Sequence, residues 1–125
     1  MRISNHVRVL IIEDSIDTRD ALVQVLKLSG YDTVSTETRD QAVSMLNDVH
    51  PDVILMDWST KGMQPKQFKT VVDALPQKPP LIIMSAYGAA DFAMQLGVSY
   101  YIQKPFDLDK LIALLQTAST SALRA

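Results

Sequence analysis

The feature that most constrains this chain is a set of short, unbroken apolar runs: "VLII" at 9–12, "VILM" at 53–56 and "LIIM" at 81–84. A strand with one wet face alternates apolar and polar side chains. A strand apolar at every position must be covered on both sides, as in a parallel sheet sandwiched between helices. The intervening segments have helical spacing. Ala21, Leu22, Val25 and Leu26 fall on one helical face, with Gly30 as a stop. "TRDQ" at 38–41 matches a capping box, Thr38 capping and Gln41 reaching back, with Ala42, Val43, Leu46 and Val49 lining the helix behind it. A short strand is expected near Thr33–Thr36, helices over Lys66–Leu75 and up to Leu96 with Gly97 as stop, a strand over Ser99–Gln103, and a last helix from Leu108 with Leu111, Ile112 and Leu115 on one face. Five strand–helix units in this order predict an α/β fold: a five-stranded parallel sheet, doubly wound as (βα)5, with helices on both faces.

The 125 residues suit one domain spanning 1–125, with a core over about 6–118 and "STSALRA" at 119–125 as a tail or the start of a linker. Net charge is −2 and the basic residues are scattered, so direct nucleic-acid binding is not expected. With no cysteine, neither disulfides nor thiolate metal sites can form. "MRISNH" is too polar and short for a signal peptide, and no apolar run approaches the ~20 residues of a membrane span. A cytoplasmic protein without a membrane partner is the expectation.

The first strand ends in two adjacent carboxylates, Glu13 and Asp14. Two such charges repel by roughly 4 kcal/mol at about 4 Å when the effective dielectric is near 20. A basic side chain, a pKa shift or a bound cation must offset that. In open parallel sheets, ligands bind beyond the carboxyl ends of the strands. There the third strand brings Asp57, the fourth Ser85, and the fifth Lys104 followed by Pro105. Oxygen ligands without Cys or His suit a hard cation such as Mg²⁺, which uses one or two carboxylates and keeps several waters. A carboxylate beside such a metal can act as a nucleophile toward a phosphoryl group, while Lys104 and Ser85 hold the remaining phosphate oxygens.

"IIEDS", "VILMDW", "IIMSAYG" and "YYIQKPF", in that order and spanning most of the chain, resemble the receiver domain of two-component response regulators. The resemblance implies that Asp57 is the phosphoacceptor. It implies that Asp14 binds Mg²⁺ directly, that Glu13 assists through water, and that the Ser59 backbone carbonyl is a further ligand. Ser85 would meet the phosphate, Lys104 would bridge to it, Tyr101 would be the switch aromatic, and the Lys104–Pro105 bond would be cis. A sensor histidine kinase or histidine phosphotransfer protein would donate the phosphoryl group, and a downstream protein or effector domain, or a second copy of the chain, would read the result. The chemistry expected is self-phosphorylation and autodephosphorylation, not turnover of an external substrate. Two departures stand out. Lys61 occupies a position where the family usually has proline, which predicts a looser 58–65 loop. The segment between Ser85 and Lys104 is about one helical turn short, which predicts a stunted fourth helix.

Taken singly, each residue has a plainer reading. Asp57 serves as a turn or cap residue, and Glu13 and Asp14 as caps of the first helix, a task open also to Ser15 or Asp17. Lys104 is then a surface ion-pair partner, Ser85 satisfies local backbone groups, and Tyr101 packs. Lys61 is expected in solvent, with a phosphate contact as the rival. Tyr100 should point opposite to Tyr101, and His6 and His50 have no partner at ligand spacing. The ordered set favours a functional site over this sum of local roles. The main rival is a pseudo-receiver, a binding module that keeps the fold without phosphoryl control. A haloacid-dehalogenase-type phosphatase would need a second acid where Ser59 stands, and a flavodoxin-like cofactor carrier would need donors where Glu13 and Asp14 stand.

Overall fold

Strands and helices alternate strictly through the computed structural model, which describes residues 6–124, with side chains as far as Thr120. The stretch "MRISN" and the end of "STSALRA" lie outside the described residues. The elements are β1 (Arg8–Ile12), α1 (Ile16–Leu28), β2 (Asp32–Thr36), α2 (Arg39–Val49), β3 (Val53–Asp57), α3 (Pro65–Asp73), β4 (Leu81–Ser85), α4 (Ala89–Leu96), β5 (Tyr100–Gln103) and α5 (Leu108–Arg124). The strands form one parallel sheet in the order β2-β1-β3-β4-β5. This is the doubly wound α/β arrangement that the apolar runs predict.

Alternate residues of each run face opposite helical layers. Val9, Ile11, Val53, Leu55, Ile82 and Met84 pack against Leu22 and Leu26 of α1 and Leu111, Leu115 and Ala118 of α5. Leu10, Ile12, Ile54, Met56 and Ile83 pack against α2, α3 and α4 through residues such as Leu46, Phe68 and Ala93. All five residues of β3 and of β4 are buried. Two covered faces explain why these strands carry no alternation.

Several local expectations are revised. Ala21 is exposed, and the buried stripe of α1 is Leu22 and Leu26, flanked by half-buried Val23 and Val25. Thr38 caps α2 by accepting from the Gln41 amide at 3.2 Å, but Gln41 Oε1 accepts from the Glu37 amide at 2.8 Å, one residue beyond the box expected. No end for α5 was read in the sequence. Ala118 completes the stripe begun by Leu111 and Leu115, the Ser119 hydroxyl donates to the Leu115 carbonyl at 2.8 Å, and the helix continues to Arg124. α4, at 8 residues, is the shortest helix among the described residues, bracketed by Gly88 and Gly97 with φ of 67° and 72°.

Phe68 is the largest fully buried side chain and joins α3 to the second core. Replacing it with alanine should cost about 3–5 kcal/mol through lost burial and a cavity. Urea unfolding checks this: the midpoint should fall while the slope stays unchanged.

Candidate functional site

Sheet register assembles the site. Ile12 lies beside Met56, Asp57 beside Met84, and Ser85 beside Gln103. The residues that end or follow β1, β3, β4 and β5 therefore share one edge. β1 is also where the winding reverses, since the chain passes to β2 on one side and β3 on the other. Glu13 and Asp57 flank this switch point and are only 1% and 3% exposed, whereas Asp14 faces solvent. One carboxylate oxygen from each of Glu13, Asp14 and Asp57 falls within 4.8 Å of the other two.

Lys104 enters this acidic cluster from the other side. Its Nζ lies 2.6 Å from Glu13 Oε1 and 3.2 Å from Asp57 Oδ1. The lysine backbone is held by donation of its amide to the Ser85 carbonyl at 2.7 Å, and its bond to Pro105 is cis. The Ser59 hydroxyl donates to Asp57 Oδ2 at 2.7 Å, so both oxygens of Asp57 are engaged. Ser15, the cap of α1, donates its amide to Glu13 Oε2 at 3.3 Å. Of the three ways to relieve the carboxylate repulsion, a basic side chain is thus already in place.

Burial pushes the Glu13 carboxyl above its ordinary value, with the Asp57 charge adding to it, and the hydrogen bond from Lys104 opposes that rise. Burial pulls the Lys104 ammonium down, yet its hydrogen bond to Glu13 and the charges of Asp57 and Glu13 outweigh this and hold it above the usual lysine value. A carboxyl raised in the fold binds protons more tightly there than in the unfolded chain, so the stability it contributes declines as pH rises above about 4.5, its ordinary value. In Glu13→Gln that titration is absent. Without divalent cations, the stability of Glu13→Gln minus that of the parent should therefore increase as pH is raised from 4.5 toward neutrality. Chemical denaturation at several pH values reads the trend, and a difference that is flat or of opposite slope contradicts it.

Of the other residues singled out in the sequence, Ser85 and Lys61 lie at this edge, Tyr101 lies within β5, and His6 and His50 precede β1 and β3 at the opposite edge. Ser85 is buried, and its hydroxyl donates to the Tyr87 carbonyl at 2.6 Å while accepting from the Tyr87 amide at 3.3 Å. It is turned to the local backbone. Tyr101 is 47% exposed, on the face opposite half-buried Tyr100, which packs on the first core. Lys61 is exposed. His50 ends α2 in a left-handed conformation, and His6 lies 3.6 Å from Asp32.

Three features of the site went unread in the sequence. Arg39 is buried and donates to backbone carbonyls of the β3–α3 loop, so the segment expected to be loose is fastened. Its spacing to Ala42 and Leu46, three and seven residues on, is the signal that put it on the inner face. Buried Thr60 donates its hydroxyl to the Asp57 carbonyl at 3.2 Å. Trp58 stacks on Phe92 of α4 with ring centroids 4.5 Å apart and planes at 9°.

The sequence profile of the family described as "Response regulator receiver domain" matches residues 9–116. The Klebsiella pneumoniae phosphate regulon transcriptional regulatory protein PhoB is 32% identical over 111 residues, which are 85% of this chain and 48% of that protein. This chain thus spans about half the length of the PhoB relatives it matches. Sporulation initiation phosphotransferase F of Bacillus subtilis is 29% identical over 107 residues, 83% of this chain and 86% of that protein. The fold is shared with chemotaxis response regulator CheY4 of Vibrio cholerae, at a TM-score of 0.81 and 21% identity over 91% of this chain and 99% of that one. It is shared also with the signal receiver domain of a putative LuxO repressor from Vibrio parahaemolyticus, at a TM-score of 0.77 and 27% identity over 94% and 92% of the two chains. Among the described residues no helix is long and apolar enough to cross a membrane. With the acidic strand-end cluster, its lysine and the doubly wound sheet all in place, the chain belongs to the response regulator receiver domain family.

Proposed function

We propose that the chain is a phosphorylation-controlled switch that accepts a phosphoryl group on Asp57, donated by a sensor histidine kinase or a histidine phosphotransfer protein. The observation that carries this reading is the bridge from Lys104 to Glu13 and Asp57 at a buried strand end, with Asp14 beside it. A merely structural aspartate would not need two further carboxylates within reach.

The donor set fits Mg²⁺. It offers hard oxygens and no sulfur or imidazole, with one exposed carboxylate, Asp14, that leaves room for retained waters. Asp14, Asp57 and the Ser59 carbonyl would hold the ion, with Glu13 acting through water. When bound, the cation neutralises charge on the phosphoryl oxygens. The chain's own residues supply the rest. An Asp57 carboxylate oxygen attacks phosphorus; the new P–O bond forms as the bond from phosphorus to the donor's imidazole nitrogen breaks. That nitrogen keeps the electron pair and is protonated. Lys104 exchanges part of its pairing with Glu13 and Asp57 for a phosphoryl oxygen. Ser85 gives up the Tyr87 carbonyl to donate to another, which moves the β4–α4 loop, and Tyr101 follows into the space released. The added charge biases a two-state equilibrium between surfaces, read by a downstream protein or effector domain, or by a second copy of the chain. The chain acts in this as a single cytoplasmic receiver domain and turns over no external substrate.

Incubation with Mg²⁺ and acetyl phosphate, followed by intact-mass measurement, should give a single phosphoryl adduct that disappears in Asp57→Asn or on chelation of Mg²⁺. Labelling that persists in Asp57→Asn would sink the assignment. A folded protein that neither acetyl phosphate nor a histidine-phosphorylated donor labels would leave the pseudo-receiver reading.

A further inference from the structure

Arg39, the first residue of α2, is 3% exposed. Arginine is rarely buried without a charged partner; the charges of Asp57 and Asp40 favour this guanidinium, yet no carboxylate among the described residues forms a direct ion pair with it. The hydrogen bonds it donates all go to main-chain carbonyls of the end of β3 and the loop after it. Nε donates to Met63 at 2.6 Å, Nη2 to Thr60 at 2.7 Å, and Nη1 to Asp57 at 3.3 Å and Trp58 at 3.5 Å. Burying a cation costs several kcal/mol unless hydrogen bonds offset it. An alkyl side chain would seat α2 at less cost, so the guanidinium's distinctive contribution is a rigid fork that fixes carbonyl directions.

The pattern of bound carbonyls is informative. Within residues 57–60 the fork takes those of 57, 58 and 60, and omits Ser59. No donor among the described residues occupies the Ser59 carbonyl. Holding the carbonyls on either side restricts the orientation of the one between. The loop has little stiffness of its own, since residues 58–63 contain Gly62 and no proline. A second fastening comes from the same helix end, where Asp40 Oδ1 accepts from the Met63 amide at 2.7 Å. Gly62 passes Asp40 with φ of +95°, where a Cβ would collide with that carboxylate oxygen.

We propose that Arg39 is a positioning residue: by binding the flanking carbonyls it aims the Ser59 carbonyl at the cation site beside Asp57. This deepens the functional reading above and rests on its metal site. Prearranging a ligand in this way lowers the ordering cost of binding.

The test is Mg²⁺ titration of the parent, Arg39→Met and Arg39→Lys, read by the fluorescence of Trp58, the single tryptophan. Near-ultraviolet circular dichroism establishes that each protein is folded. The half-saturating Mg²⁺ concentration should rise about tenfold in Arg39→Met, the scale seen when a group supporting a metal ligand is lost. In Arg39→Lys, which keeps the charge but not the fork, it should rise at least about threefold. The acetyl phosphate labelling rate at saturating Mg²⁺ should stay within a few-fold of the parent in both. A purely structural role would lower the melting temperature and leave the half-saturation of folded protein unmoved. A folded variant whose half-saturation lies within about twofold of the parent overturns the proposal. If Arg39→Met does not fold, Arg39→Lys decides alone, and failure of both to fold makes Arg39 a folding residue and overturns it as well. A parent that binds Mg²⁺ but is not labelled refutes the phosphoryl reading while leaving this test intact; a parent without a saturable Mg²⁺ response refutes both.

Discussion

The contact of Lys104 with Glu13 and Asp57 is the constraint around which the site is arranged. A parallel sheet brings its strand ends together on one edge, and in this chain that edge carries carboxylates on two neighbouring strands. Left alone, two acids this deeply buried would oppose folding. Lys104 offsets that cost only in part. Three carboxylates outnumber the Lys104 ammonium and the Arg39 guanidinium that also feels Asp57, so the edge stays negative; the hydrogen bond to Glu13 and the charges of Asp57 and Glu13 hold the lysine's pKa up. The fold therefore tolerates the cluster in a state that further positive charge would improve.

From this edge, physical links run outward. Trp58, next to Asp57, stacks on Phe92, so the loop after β3 touches α4 through two rings. Ser85, at the end of β4, holds the Tyr87 backbone just ahead of the same helix. α4 itself is short and bounded by two left-handed glycines. The surroundings of Asp57 are thus joined to α4 by packed rings and by the Ser85 hydroxyl.

The parts legible in the sequence share a cause. β1, β3 and β4 were readable because coverage on two faces forces every position to be apolar, and strand ends could be named because those runs stop at Glu13, Asp57 and Ser85. Thr38 was readable because capping is a local interaction of near neighbours. What escaped depends on partners distant in sequence. Arg39 contacts residues 18 to 24 positions away, and nothing in "TRDQ" indicates that a loop will wrap over it. Its charge disguised a place on the inner face that its spacing to Ala42 and Leu46 would have revealed. Where α5 ends could not be read from "STSALRA": Ser119 satisfies its hydroxyl on its own helix and Ala118 still buries its methyl. Ser85 takes the local pairing with near-neighbour backbone that its residue type allows, which the sequence left open against a ligand contact.

The most direct measurement locates the modification chemically, independent of any substitution. After treatment with Mg²⁺ and acetyl phosphate, borohydride reduction converts an aspartyl phosphate to homoserine, and peptide sequencing by mass spectrometry finds the position. Homoserine is expected at position 57 alone, and none when Mg²⁺ is withheld. Homoserine at Asp14 or at another aspartate, or its absence from a folded, Mg²⁺-treated protein, would contradict it.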